Sequence, residues 1–115
     1  MIIQQKDLVT NRIEHLKDGD GHVLSTLLLQ PETMYNKNRL FGHFVLEKDC
    51  EIGWHVHIGE GEAYYILKGS GEYSDNGTIV TLKAGDAAFC PDGEGHSIKN
   101  ICDEPMEMMA LVVYN

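Results

Sequence analysis

The middle of the chain contains residues of the types that bind metal ions. His55 and His57 are separated by one residue, Glu62 follows five residues later, and His96 lies much further along. Imidazole nitrogens and carboxylate oxygens are common ligands of first-row transition metals. Their types and spacing therefore predict one pocket in which four side chains bind a metal.

The spacing of the first three residues is typical of two strands and a turn. Residues i and i+2 of a strand point to the same side, so His55 and His57 would face one space. The intervening segment 59–61 has two glycines, which accept the positive φ angles of tight turns. If the return strand runs antiparallel to the first, Glu62 comes within reach of both imidazoles. The pattern thus predicts a hairpin.

Each of these residues alone has an ordinary explanation. A single histidine or glutamate is usually solvated, or is satisfied by neighbours in a core. Burying two imidazoles and a carboxylate on one face of a small barrel is costly unless a partner compensates, and a cation removes that cost. Together, therefore, the residues favour a metal site.

Two motifs in the second half of the chain resemble those of the cupins. The first is H-x-H-x4-E-x6-G, and the second is G-x5-P-x-G-x2-H-x3-N. The residues at their fixed positions are His55, His57, Glu62 and Gly69, then Gly85, Pro91, Gly93, His96 and Asn100. The family pattern has a further glycine six residues before the first histidine, where this chain has Asp49 and a glycine nearer the motif at Gly53.

The resemblance implies an all-β fold, a double-stranded β-helix or jelly-roll barrel. It also implies that His55, His57, Glu62 and His96 hold the metal and that Asn100 is structural.

The length and the periodicity of the chain predict the same fold class independently. A chain of 115 residues suits a single domain, 1–115. Residues 1–20 would form an N-terminal segment, an arm or a turn or two of helix within 7–17, and residues 21–115 the barrel. Short β-branched and aromatic segments between turn signals predict the strands. These segments are 23–29, 40–46, 54–58, 62–67, 78–82, 87–90, 97–100 and 106–114.

Composition restricts the partners and the compartment. Eighteen acidic against nine basic residues give a formal charge of -9, which predicts no binding to nucleic acid or to anionic membranes. No stretch is long enough to span a bilayer, and the first residues lack the features of a secretion signal. Three widely spaced cysteines, Cys50, Cys90 and Cys102, are typical of free thiols, so we expect a cytoplasmic protein.

The predicted strands 62–67 and 106–114 are apolar on both faces, which predicts a homodimer. Tyr64 and Ile66 share the side of Glu62, whereas Tyr65 and Leu67 take the opposite side. A second copy related by a two-fold axis would cover that outer surface. The alternative is a strand that is fully enclosed within one chain.

Three imidazoles and one carboxylate leave coordination positions open on Fe, Mn, Ni, Co, Cu or Zn. Open positions predict a small-molecule ligand with oxygen donors, such as a carboxylate or another oxygen chelator. We expect an enzyme that acts on a small oxygenated acid or enol, as a dioxygenase, decarboxylase, isomerase or lyase. The alternatives are a non-catalytic metal-dependent binding or sensing protein and a purely structural metal site.

Three further residues are candidates for the pocket. Tyr64 shares the side of Glu62 and could supply a phenol as catalytic donor, although core packing explains it equally well. His43 would be a catalytic base if the odd-numbered residues of 40–46 face inward. The even-numbered residues are more apolar, which favours the opposite register. Arg39 could grip an anionic substrate at the barrel mouth.

Overall fold

Ten β-strands make up most of the structure, a computed structural model that describes all 115 residues. Three short 3-10 segments, Gln5–Asp7, Leu16–Asp18 and Pro31–Met34, complete the regular elements. The strands are β1 (Thr10–Glu14), β2 (His22–Leu29), β3 (Asn38–Leu46), β4 (Glu51–Val56), β5 (Glu60–Lys68), β6 (Ser70–Asp75), β7 (Thr78–Lys83), β8 (Ala87–Cys90), β9 (Gly95–Lys99) and β10 (Met106–Tyr114).

The strands form two antiparallel sheets that enclose the core. One sheet has the order β1-β2-β3-β10-β5-β8 and the other the order β4-β9-β6-β7. Strand β10 shows why the sheets close on one another, because Met106, Met108, Ala110 and Val112 are all buried while the residues between them are partly exposed. This alternation with period two places every second side chain between the sheets. The predicted all-β fold is confirmed.

The predicted pairing of the two strands around His57 and Glu62 is wrong. Strand β4 lies in the four-stranded sheet and pairs with β9, whereas β5 lies in the six-stranded sheet between β10 and β8. The connection at Gly59, with φ of 74°, carries the chain from one sheet to the other. Glu62 therefore faces the histidines across the interior of the barrel and not along a shared ladder.

The turn or two of helix predicted within residues 7–17 is also wrong, because β1 occupies the centre of that segment and only short 3-10 segments overlap its ends. Strand β1 pairs with the edge of β2, and the Thr10 and Thr26 hydroxyls hydrogen-bond across the pair at 2.6 Å. A helix of a turn or two is marginal in water, whereas a sheet edge offers a partner to every second backbone group.

Strand β6 is the second strand that the sequence did not predict. Its residues, Ser-Gly-Glu-Tyr-Ser-Asp, carry little of the β-branched and apolar signal. Asn76 and Gly77, which both have positive φ, form the tight turn that joins β6 to β7. All three cysteines are free thiols. The structure contains no helix with the length and apolar character that crossing a bilayer requires.

Candidate metal centre

The two sheets bring the predicted residues together at one point of the interior. His55 on β4 and His96 on β9 are directly opposite one another in the antiparallel register. His57 follows the end of β4, and Glu62 projects from β5 of the other sheet. His57, Glu62 and His96 are buried, and His55 is partly buried.

The four side chains approach one another closely. The Nε2 atom of His96 lies 3.1 Å from Nε2 of His57 and 3.1 Å from Nε2 of His55. One carboxylate oxygen of Glu62 lies 3.0 Å from Nε2 of His96 and 3.3 Å from Nε2 of His57. One potential ligand atom from each residue falls within 4.8 Å of all the others. Three nitrogens and one oxygen thus converge on a volume the size of an ion.

The outward-facing nitrogen of each histidine has its own partner. Nδ1 of His55 lies 2.8 Å from the Gly53 carbonyl oxygen, and Nδ1 of His57 lies 2.8 Å from a Glu60 carboxylate oxygen. Both partners accept, so both Nδ1 atoms donate and both Nε2 atoms face the cluster, where each can carry a proton for Glu62 or a lone pair for a metal ion. Nδ1 of His96 lies 2.9 Å from the Tyr73 hydroxyl, which can also accept.

These residues fit a transition-metal ion. Imidazole lone pairs directed at one another across about 3 Å repel unless a proton or a cation lies between them. Three imidazoles and a carboxylate suit Fe, Mn, Ni, Co, Cu and Zn alike, so the donor set does not select among them. The cluster could therefore hold one such ion.

Glu62 is held in its charged form. Burial alone would raise the pKa of its carboxyl, but hydrogen bonds from His55, His57 and His96 outweigh burial and keep the pKa far below its usual range. The same hydrogen bond to Glu62 raises the pKa of His57, whereas burial lowers the pKa of His96. The cluster at neutral pH therefore includes an anion, as a cation site requires.

A second layer of charge lies behind His57. Arg39 donates from Nε and from a terminal nitrogen to the two oxygens of Glu60, at 2.9 and 2.8 Å. This pairing lowers the pKa of Glu60, which stays a carboxylate and accepts from His57. The sequence analysis missed Glu60 and Tyr73 as supports of the cluster. The spacing of three residues between His57 and Glu60, within a turn, was a usable signal, but nothing marked Tyr73.

A small cavity gives access to the cluster. Its volume is about 90 Å³, and its remaining walls are Leu16, Lys17, Arg39, Leu40, Phe44, Ile52 and Tyr64. A more open depression of about 340 Å³ shares Lys17, Arg39, His55 and His57 with the cavity. The two basic side chains therefore lie where the cavity meets the surface.

Tyr64 and His43 have very different positions. The Tyr64 ring stacks on the His96 ring with centroids 4.9 Å apart and also lines the cavity. Burial, followed by the charge of Glu62, raises the pKa of the Tyr64 phenol well above its usual value. His43 lies on the outer face of β3, where it contacts Glu107 at 3.1 Å. The structure does not bring His43 to the cluster, because the apolar side of β3, with Phe44 and Leu46, faces inward.

Comparison with known proteins places the chain in a family. The family model for the cupin domain matches residues 42–114, and the chain belongs to the cupin family. The fold is accordingly a small jelly-roll or double-stranded β-helix barrel. The resemblance seen in the two sequence motifs is confirmed.

Similar proteins include one from Thermotoga maritima with the name oxalate-binding protein. It is 40% identical over 113 residues, which cover 98% of this chain and 93% of that protein. The crystal structure of a predicted oxalate decarboxylase from the same organism has a TM-score of 0.96 and 39% identity, with full coverage of both chains. The polyketide cyclase RemF of Streptomyces resistomycificus, with a TM-score of 0.76 and 16% identity over 98% of this chain and 78% of its own, shares the fold.

Replacing Glu60 tests the support of His57. We expect Glu60→Gln to weaken metal binding by about 10- to 100-fold, because the amide loses the charge that holds Nδ1 of His57 and pairs with Arg39. Competition with a chelator of known affinity measures the effect. Glu107→Gln is the matched control, since it removes a carboxylate from a histidine on the outer surface. Equal metal affinity in both variants would contradict the role of Glu60.

Proposed function

We propose that this cupin binds a small dicarboxylate of the oxalate class at a metal ion held by His55, His57, Glu62 and His96. The observation that carries the proposal is a cluster of three nitrogens and one carboxylate at the base of a small cavity with basic residues at its mouth. When bound there, a divalent first-row ion offers open coordination positions to the oxygens of the ligand.

The size of the cavity supports a small ligand. One water requires about 10–15 Å³ of such volume, so a cavity of about 90 Å³ accepts a molecule of several heavy atoms but no large metabolite. Apolar side chains of Leu40, Phe44 and Ile52 form part of the wall. An oxalate-sized ligand could pair its oxygens with the cluster, with the basic residues at the mouth and with the Tyr64 phenol.

Charge supports an anionic ligand. The chain has a formal charge of -9, yet Arg39 and Lys17 meet at the mouth of the cavity. The Glu60 carboxylate lines the same depression and offsets Arg39, so the site would become a positive region that attracts small anions once a divalent ion is bound at the cluster. The name of the Thermotoga maritima relative, oxalate-binding protein, agrees with this ligand class.

A catalytic function on the same ligand is the second candidate, and Tyr64 favours it. Loss of carbon dioxide from a dicarboxylate leaves a carbon that must receive a proton. Tyr64 lines the cavity, and its phenol is protonated at neutral pH, as phenols ordinarily are. Tyr64 could therefore act as the proton donor of a decarboxylase, the activity predicted for the solved Thermotoga maritima structure.

Calorimetry with oxalate tests the proposal. We expect binding to protein reconstituted with Mn²⁺ and at least tenfold weaker binding to the metal-free protein, because the positively charged basic side chains alone are largely solvated. Glu62→Gln should lose both metal and oxalate. Equal oxalate affinity with and without metal would contradict the proposal.

An assay for formate separates binding from catalysis in the same samples. Formate production that is lost in Tyr64→Phe, with oxalate affinity preserved, would establish the catalytic candidate. Stable oxalate with no product would leave the binding function.

We propose further that the chain forms a homodimer through the outer face of its six-stranded sheet. Tyr65 and Leu67 of β5 and Phe89 of β8 are half-exposed there. They adjoin a shallow depression of about 360 Å³ whose lining residues are all apolar. A contiguous apolar patch of this kind is typical of an interface, and a two-fold axis would allow the patch to cover itself.

Light scattering tests the dimer. The expected mass is about twice that of the 12.9 kDa chain, because a two-fold interface pairs two chains. Tyr65→Glu should reduce it to that of a monomer, since a buried charge opposes association. Ile79→Glu, at an exposed apolar residue of the other sheet, is the control and should stay dimeric. A monomeric wild-type protein would contradict the proposal.

A further inference from the structure

The segment between β1 and β2 has an unusual backbone. His15, Lys17 and Asp18 have φ angles of 51°, 55° and 60°, in the left-handed region that residues other than glycine rarely adopt. Three such residues within four positions cost free energy, and a structure keeps them only where its surroundings impose them. We call residues 15–19 the strap.

Close packing on β4 holds the strap in place. The carbonyl oxygen of Lys17 lies so near Gly53 that a Cβ atom there would collide with it, and Gly19 approaches the backbone of Glu51 in the same way. The next residue, Asp20, accepts from the Glu51 amide at 2.8 Å and from Nζ of Lys99 at 2.9 Å. Gly53 is the glycine next to the first motif, so its lack of a side chain admits the strap beside His55.

The strap positions a lysine whose ammonium group has no partner within the chain. Leu16 and Lys17 are walls of the cavity above the cluster, and Lys17 also borders the open depression. The Lys17 ammonium forms neither an ion pair nor a hydrogen bond with another residue. Arg39, the other cation at the mouth, donates two of its N–H groups to Glu60. Lys17 is therefore the cation at the mouth whose charge no carboxylate offsets.

We propose that Lys17 determines specificity for dianions by pairing with the carboxylate oxygens that lie farthest from the metal-binding cluster. The inference rests on the proposed dicarboxylate-binding function and assigns a residue to its selectivity. The left-handed backbone of the strap places the Lys17 side chain at the mouth of the cavity. The protein thus gives up stability at this position for selectivity.

Binding of two anions to the Mn²⁺-loaded protein tests the assignment. We expect Lys17→Gln to weaken oxalate binding by about tenfold and formate binding by less than about threefold, because only the dianion loses a charge-assisted contact. Lys83→Gln is the matched control for an exposed lysine far from the cavity and should change neither affinity. Unchanged oxalate affinity in Lys17→Gln, or an equal loss for both anions, would overturn the assignment.

Thermal unfolding of the metal-free protein supplies an independent readout. Lys17→Gly should raise the Tm of the metal-free protein by about 2–5 °C, because glycine relieves the left-handed strain. The Mn²⁺-loaded Lys17→Gly variant should lose oxalate affinity to the same extent as Lys17→Gln. Tyr35→Gly relieves a left-handed residue, with φ of 61°, in a turn away from the cavity. It should raise Tm without altering oxalate affinity.

The outcomes separate the two proposals. A lower Tm in Lys17→Gly would overturn the account of the strap. Loaded wild-type protein that binds no oxalate would overturn the proposed function itself, and the assignment of Lys17 with it. Wild-type protein that binds oxalate, with no loss in Lys17→Gln, would overturn the assignment alone.

Discussion

The constraint on which the rest of the structure depends is the buried charge of Glu62. A carboxylate in the interior of a small barrel is strongly unfavourable unless charged or hydrogen-bonding partners surround it. Three imidazoles supply those partners, from β4, from β9 and from the residue that follows β4. Two features of the fold bring these four side chains together. One is the register that pairs His55 with His96, and the other is the passage of the chain from one sheet to the other between β4 and β5.

Hydrogen bonds to the outer nitrogens of the three histidines hold the cluster rigid. A backbone carbonyl, a carboxylate and a phenol fix the outer nitrogens of His55, His57 and His96, so each ring presents the same edge inward. Preorganisation of this kind favours a cation, because no ligand has to rotate into place when the ion arrives. The Arg39–Glu60 pair extends the same network to the cavity mouth, where a ligand would enter.

Much of the site was predictable because its signal is local in sequence. The convergence of His55, His57, Glu62 and His96 followed from spacing and motif, and the inward face of β3 from its more apolar side. The pairing of β4 was not predictable, since a turn does not reveal whether the next strand stays in the same sheet. The support from Tyr73 and the strap arise from tertiary contacts, which no local pattern encodes, whereas the three-residue spacing of His57 and Glu60 was a local signal.

Metal content tests the central claim most directly. Elemental analysis would count the metal per chain in the untagged wild-type protein and in a His55→Ala, His57→Ala double variant, each after reconstitution. We predict close to one equivalent in the wild type and its loss in the double variant, because two of the four converging ligand atoms are removed. Equal metal content in the two proteins, or none in the wild type, would contradict a metal site formed by this cluster.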